Sequence, residues 1–170
     1  GDEGWRQRHA IPLQQRQTVS SLLIDRSRAY GAQHPLFRWS RLITADEIRQ
    51  SIGAPAQALQ SPLQLNALQR GTSGRVLALQ IAGADAAEPV VLRLDRIRRT
   101  LRRLPSTLFV IEPQGLDRWL IRGGGFGHGA GLSQAGAIDL AWRGWSTERI
   151  LSHYYPGTIY GPLTGGVQSP

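Results

Sequence analysis

Residues 122–141 read RGGGFGHGAGLSQAGAIDLA, and the side chains best suited to chemistry are concentrated there. Glycines at 123, 124, 125, 127 and 129 let the backbone take positive φ or approach another surface closely. Between and after them stand one imidazole, His128, then Ser133 and Gln134. The flanking glycines expose backbone amides and leave room for a ligand. His128 is therefore a candidate to orient a sugar, move a proton or fix a neighbouring carboxylate. The competing reading is a histidine held in a tight loop by backbone hydrogen bonds. Ser133 has the identity of a helix N-cap as much as of a ligand contact. Gln134, donor and acceptor at once, suits hydroxyl and acetamido groups.

Other chemistries fit less well. Gly131-Leu132-Ser133-Gln134-Ala135 lacks the final glycine of G-x-S-x-G, which argues against a serine hydrolase. The chain has no Lys, so the glycine run is not a nucleotide-binding P-loop. Four scattered histidines without cysteine give little basis for a metal site, and no cofactor is expected. Downstream, residues 150–158 read ILSHYYPGT. Tyr154 and Tyr155 either stack on sugar rings or pack under the Pro156-Gly157 turn, and one inward with one outward is expected. His153 reads as a helix-end residue, where the dipole favours a cation.

These side chains need elements to place them. Ser133 and the apolar positions Ala135, Ala137, Ile138, Leu140, Ala141 and Trp142 predict a helix with buried-helix composition, ended by Gly144. Residues 107–111 and 119–122 read as two strands joined at Pro113-Gln114-Gly115, the second feeding the glycine loop. Further upstream, residues 36–43 alternate as a strand, with Phe37 and Trp39 on one face and Arg38 and Ser40 on the other. Thr44-Ala45-Asp46-Glu47 is a capping box opening a short helix through Ile52 that Gly53 stops. Pro55 and Pro62 bracket a connection over residues 54–64. Residues 75–82 and 90–94 predict a hairpin of half-buried strands after a turn at 71–74. Residues 95–104 are the most basic stretch, yet Ile97, Leu101 and Leu104 recur at helical spacing, which predicts a solvated amphipathic helix rather than a polyanion patch. Residues 17–24 (QTVSSLLI) fit a strand or a short helix. The expected class is α+β, a mixed and largely antiparallel sheet with short helices. Residues 1–35 are expected to be an irregular basic arm and linker, 36–161 the domain, and 162–170 a mobile tail.

A length of 170 residues with 41% hydrophobic composition suits one core. No stretch approaches the roughly 20 apolar residues of a membrane span, and residues 1–16 do not read as a signal peptide. The chain has no Met and opens Gly1-Asp2-Glu3-Gly4, which implies that something preceding it was removed. Cysteine is absent, which excludes disulfides. All 20 basic residues are Arg, and the net charge of +8 favours an acidic partner, either nucleic acid or a glycan bearing carboxylates.

The order GFGHGAGLSQAGA, a short helix, then ILSHYYPGT resembles the C-terminal signature of the sporulation stage II protein D family, the SpoIID/LytB domain. Ile97-Arg98, Leu101, Leu104, Ser106-Thr107 and Phe109 resemble the stretch that precedes that family's glycine loop, and the likeness spans residues 39–160. The resemblance implies a SpoIID-like fold placed outside the cytoplasm. It also implies either lytic cleavage of peptide-free peptidoglycan glycan strands or, as for the LytB proteins, enhancement of an amidase. In lytic transglycosylation one carboxyl protonates the leaving oxygen and then, as a base, activates the sugar's C6 hydroxyl. The family's glutamate lies in an alanine-rich helix of the N-terminal half, and neither it nor the zinc site of some members has a counterpart in this chain.

On this resemblance the chain is the C-terminal portion of such a domain, with the general acid outside it. His128, Ser133 and Gln134 form one wall of the glycan cleft. Arg98 and Arg122 support that wall or contact substrate carboxylates, and Tyr154 and Tyr155 complete the candidate set. Expected partners are peptidoglycan glycan strands and a cell-wall amidase or the N-terminal half of the same domain. The alternative is a non-catalytic glycan-binding or amidase-enhancing module. Nucleic-acid binding is the weakest class and predicts steep salt dependence without sugar preference.

Overall fold

The computed structural model describes residues 12–26, 29–85, 87–101 and 104–161. The expectations for residues 1–11 and for the tail 162–170 lie outside the described residues. The described elements run α1 (Arg16–Ile24), β1 (Arg38–Thr44), α2 (Ala45–Ile52), α3 (Ala54–Gln57), β2 (Gln64–Arg70), β3 (Val76–Ala82), β4 (Val90–Arg93), α4 (Asp95–Thr100), β5 (Phe109–Pro113), β6 (Arg118–Gly124), α5 (Gln134–Trp142) and α6 (Thr147–Tyr154). The class is α+β. The strands form two antiparallel sheets of three, ordered β1-β6-β5 and β2-β3-β4.

Both sheets face one core. Trp39 and Ile43 of β1, Trp119 and Ile121 of β6, Phe109 of β5, Leu79 and Ile81 of β3 and Leu92 of β4 belong to a single buried cluster. Ile48 of α2 and Ile97 of α4 close it, with Leu101 and Leu104 buried just beyond α4. The three apolar residues are thus core contacts, but the helix predicted over 95–104 ends at Thr100, so Leu101 and Leu104 reach the core from beyond it, while Arg96 and Arg99 are exposed. The capping box is present: the Thr44 hydroxyl accepts from the Glu47 amide and the Glu47 carboxylate accepts from the Thr44 amide. The predicted hairpin is β3 with β4. β3 is buried on both faces rather than half-buried, because it is the central strand of its sheet.

The open choice over residues 17–24 falls to a helix, α1, within the segment 1–35 expected to be arm and linker. Its stability comes from tertiary contacts. Val19 is fully buried, and the Arg38 guanidinium donates to the carbonyls of Leu22, Leu23 and Asp25 at 2.7, 2.6 and 2.8 Å, satisfying the orphan acceptors of the helix end. The connection over residues 54–64 holds the short α3 and leads into β2. β2 shows no alternation, with five of its seven residues exposed.

Candidate functional site

The glycine loop is fixed by groups distant in sequence. β6 alternates, with Trp119 and Ile121 inward and Arg122 outward, and carries the chain to Gly123 and Gly124. A Cβ on Gly123 would lie 2.2 Å from the Trp39 ring. The Trp39 indole N–H donates to the Gly125 carbonyl at 3.0 Å. Ser106, fully buried, donates its hydroxyl to the Gly124 carbonyl at 2.7 Å, and the Gly127 amide donates to the Pro105 carbonyl at 2.8 Å. Glycines 125, 127, 129 and 131 all have φ between 75° and 89°. The left-handed turns therefore alternate with Phe126, His128 and Ala130.

This geometry holds His128 exposed. Its Nδ1 accepts the Ala130 amide at 3.1 Å, so the proton of the neutral ring sits on Nε2. Ser133 is the N-cap of α5, and its hydroxyl oxygen accepts from the Gly136 amide at 3.2 Å. Gln134, the first residue of α5, is exposed on the same turn. Tyr155 reaches back from the end of α6 and its hydroxyl accepts the Leu132 amide at 3.2 Å. Tyr154 is turned to α5, and a Cβ on Gly136 would meet its hydroxyl at 2.1 Å. One tyrosine thus braces the loop and the other braces the helix.

The two arginines are not brought to the loop by any hydrogen bond. Arg98 pairs with Asp95, and Arg122 pairs across β5 and β6 with Glu112. Arg122 lines a cleft of about 270 Å³ with Arg38, Trp39 and Gly123, at the start of the loop. Arg75 occupies the place the sequence did not assign. A Cβ on Gly129 would lie 2.0 Å from its guanidinium, and its Nη1 approaches the Gly127 carbonyl at 3.5 Å. No local pattern marks it, since it follows the 71–74 turn on a different sheet.

The helical pair α5–α6 is mostly exposed, which corrects the buried-helix reading. Only Gly136 and Leu140 of α5 are buried, while Ile138 and Trp142 are 52% and 83% exposed. Residues 30–31 tie the pair down. The Gly31 amide donates to Asp139 at 2.9 Å, and Tyr30 meets Trp145 and His153 edge-on. The Arg143 hydrogen bond and the Gly31 amide hold the Asp139 carboxyl below the usual range, and Arg98 does the same for Asp95. His153 is exposed overall, but partial desolvation beside the Tyr30, Trp145 and Tyr154 rings lowers its pKa. That desolvation opposes the cation expected there from the helix dipole.

Among the described residues no three His, Asp or Glu side chains converge as a metal site requires. No described helix is long and apolar enough to cross a membrane. A family model described as "Domain of unknown function (DUF8618)" matches residues 2–131. The chain is 28% identical over 129 residues to the stage II sporulation protein D of Bacillus subtilis (strain 168), covering 76% of this chain and 35% of that protein. It is 44% identical over 53 residues to an amidase enhancer of the same organism, covering 31% of this chain and 8% of that protein. The chain therefore spans about a third or less of the length of these relatives.

Proposed function

The chain belongs to the family described as Domain of unknown function (DUF8618), and we propose that it is a peptidoglycan-remodelling protein of the cell envelope whose glycine loop forms one wall of a glycan-strand cleft. The observation that carries this reading is the exposed His128 imidazole, with Nδ1 engaged by the Ala130 amide so that Nε2–H is left to donate. Similarity to a sporulation protein and an amidase enhancer supports the substrate class. In this reading Nε2–H donates to a sugar hydroxyl or the glycosidic oxygen, Gln134 pairs with an acetamido group, and the half-exposed Tyr155 ring flanks a sugar face. The Ser133 hydroxyl, its oxygen engaged as a cap, has its proton left to donate.

Lytic cleavage needs a carboxyl that is protonated near neutral pH. Of the glutamates among the described residues, Glu47 is engaged in the capping box, Glu112 pairs with Arg122, and Glu88 and Glu148 are exposed; Glu3 lies outside the described residues. The general acid therefore comes, in this reading, from another segment or polypeptide. The same observation favours the second reading, a non-catalytic glycan-binding or amidase-enhancing module.

Incubation with peptide-free glycan strands, with pull-down and mass spectrometry in parallel, tests both. Retention of strands without 1,6-anhydro products, lost in His128→Ala, is the expected result. Absence of retention would refute the glycan reading. Appearance of 1,6-anhydro-muramic acid ends would place the acid within the chain and direct mutation to Glu47, Glu88, Glu112 and Glu148.

A further inference from the structure

Outermost strands of the two sheets flank a groove remote from His128 in sequence. This groove, of about 390 Å³, is lined by Leu65, Ala67, Leu68 and Arg70 of β2, by Ile111 of β5 and by Arg16 of α1. β2 and β5 are both outermost strands of their sheets. Among the described residues no backbone hydrogen bond other than those to β3 reaches β2. Leu68 has no partner in β3, because the register shifts between Ala67 and Gln69, and it is 54% exposed. An edge with free N–H and C=O groups is a template for a further strand.

The charges in the groove are one-sided. Arg16 donates to the Ile111 carbonyl at 3.1 Å, and Arg70 donates to the Gly74 carbonyl at 2.9 Å. Neither has a carboxylate partner among the described residues. The first turn of α1 contains no acid. Burial and the nearby Arg16 pull the Arg70 guanidinium down to about 10, so it remains charged at neutral pH in a partly desolvated place, beside a like charge. An anion there relieves both penalties.

We propose that this groove binds an extended acidic peptide segment, which adds as a strand to the open edge of β2 and places carboxylates against Arg16 and Arg70 while its apolar residues pack on Leu65, Leu68 and Ile111. Strand addition supplies affinity through main-chain hydrogen bonds, and the two guanidiniums select acidic side chains through charge-assisted ones. The site is independent of the glycan reading.

Fluorescence anisotropy of the full chain with a labelled acetyl-VDVDV-amide peptide tests it. Saturable binding that weakens as salt rises is expected. Arg16→Gln is expected to weaken it about tenfold, the loss of one charge-assisted hydrogen bond, and Leu68→Asp to weaken it by placing a carboxylate in the groove. Arg70→Gln risks the 71–74 turn, so the exposed Arg16 and Leu68 positions carry the comparison. A lysine-for-aspartate peptide should fail to bind, and His128→Ala should bind the acidic peptide unchanged. A backbone N-methylated acidic peptide that binds as well as the parent would overturn the proposal in favour of a bare anion site, and so would absence of binding by the parent.

Discussion

Replacing Gly123 with Ala isolates the contact that seats the glycine loop. Gly123 pairs with Trp39 on β1 and with Phe109 on β5, and its backbone is outside the positive-φ region, so alanine is conformationally acceptable. The obstacle is the Trp39 ring, whose Cζ2, Cη2 and Cε2 atoms would lie 2.2, 2.5 and 2.6 Å from the new Cβ. Trp39 is only 7% exposed and cannot swing into solvent. Displacing it adds an overpacking cost of about 1–3 kcal/mol and loosens the indole bond to Gly125, worth about 1 kcal/mol. A total loss of about 2–4 kcal/mol is expected in urea unfolding followed by circular dichroism. Two other glycines serve as controls. Gly71→Ala meets Leu77 at 3.5 Å, an ordinary contact, and should stay within about 0.5 kcal/mol. Gly125→Ala has nothing within 4 Å but a φ of 75°, and should cost about 1–2 kcal/mol through backbone strain alone. In a Trp39→Phe background the Gly123→Ala cost should fall by about 1 kcal/mol or more, the coupling expected of residues in direct contact. A Gly123→Ala loss below about 0.5 kcal/mol, or strict additivity with Trp39→Phe, would refute the packing account.

Three further substitutions address other parts of the site. Ser106→Ala strands the Gly124 carbonyl and the Leu108 amide, which its hydroxyl serves at 2.7 and 3.2 Å, and should cost about 1–3 kcal/mol by thermal or urea unfolding. Ser133→Ala removes the cap of α5 and should cost about 1 kcal/mol; strand retention that survives the substitution would make Ser133 structural alone. For His153, partial desolvation holds the folded pKa below its ordinary value of 6.5. The unfolded imidazole thus takes up its proton first as pH falls. Stability from the Tyr30–Trp145–His153 cluster is accordingly full above about pH 6.5 and declines below it. Trp fluorescence during an acid titration should report this decline, and an identical response from His153→Phe would show that another group is responsible.

Features encoded within a few residues were legible in the sequence. The Thr44–Glu47 capping box, the β3–β4 hairpin and the Ser133 cap each depend on local spacing, and each is present; Ile97, Leu101 and Leu104 are buried as expected, but the helix meant to carry them stops at Thr100. What could not be read depends on partners far along the chain. Residues 17–24 become helical because Arg38 caps their far end and Val19 is buried, neither of which shows in that segment. β2 alternates poorly because it is an exposed edge strand with a register shift. α5 looks buried by composition, yet its apolar residues Ile138 and Trp142 face outward. Arg98 and Arg122, which the resemblance places at the loop's wall, pair with Asp95 and Glu112, partners that the loop motif does not reveal.

The loop itself unites these two kinds of information. Its glycines are local, but the conformation they permit is selected by Trp39, Arg75, Ser106 and Tyr155, from four separate parts of the chain. A free glycine run would pay a large entropic cost to present His128 in one orientation. Here that cost falls on folding, since the clamps include the buried Ser106 and a Trp shared with the core. The position of Nε2 is consequently a property of the packed sheets as much as of the loop. Clamp substitutions such as Ser106→Ala should therefore weaken ligand binding without touching the ligand, and they should do so in proportion to the stability they remove.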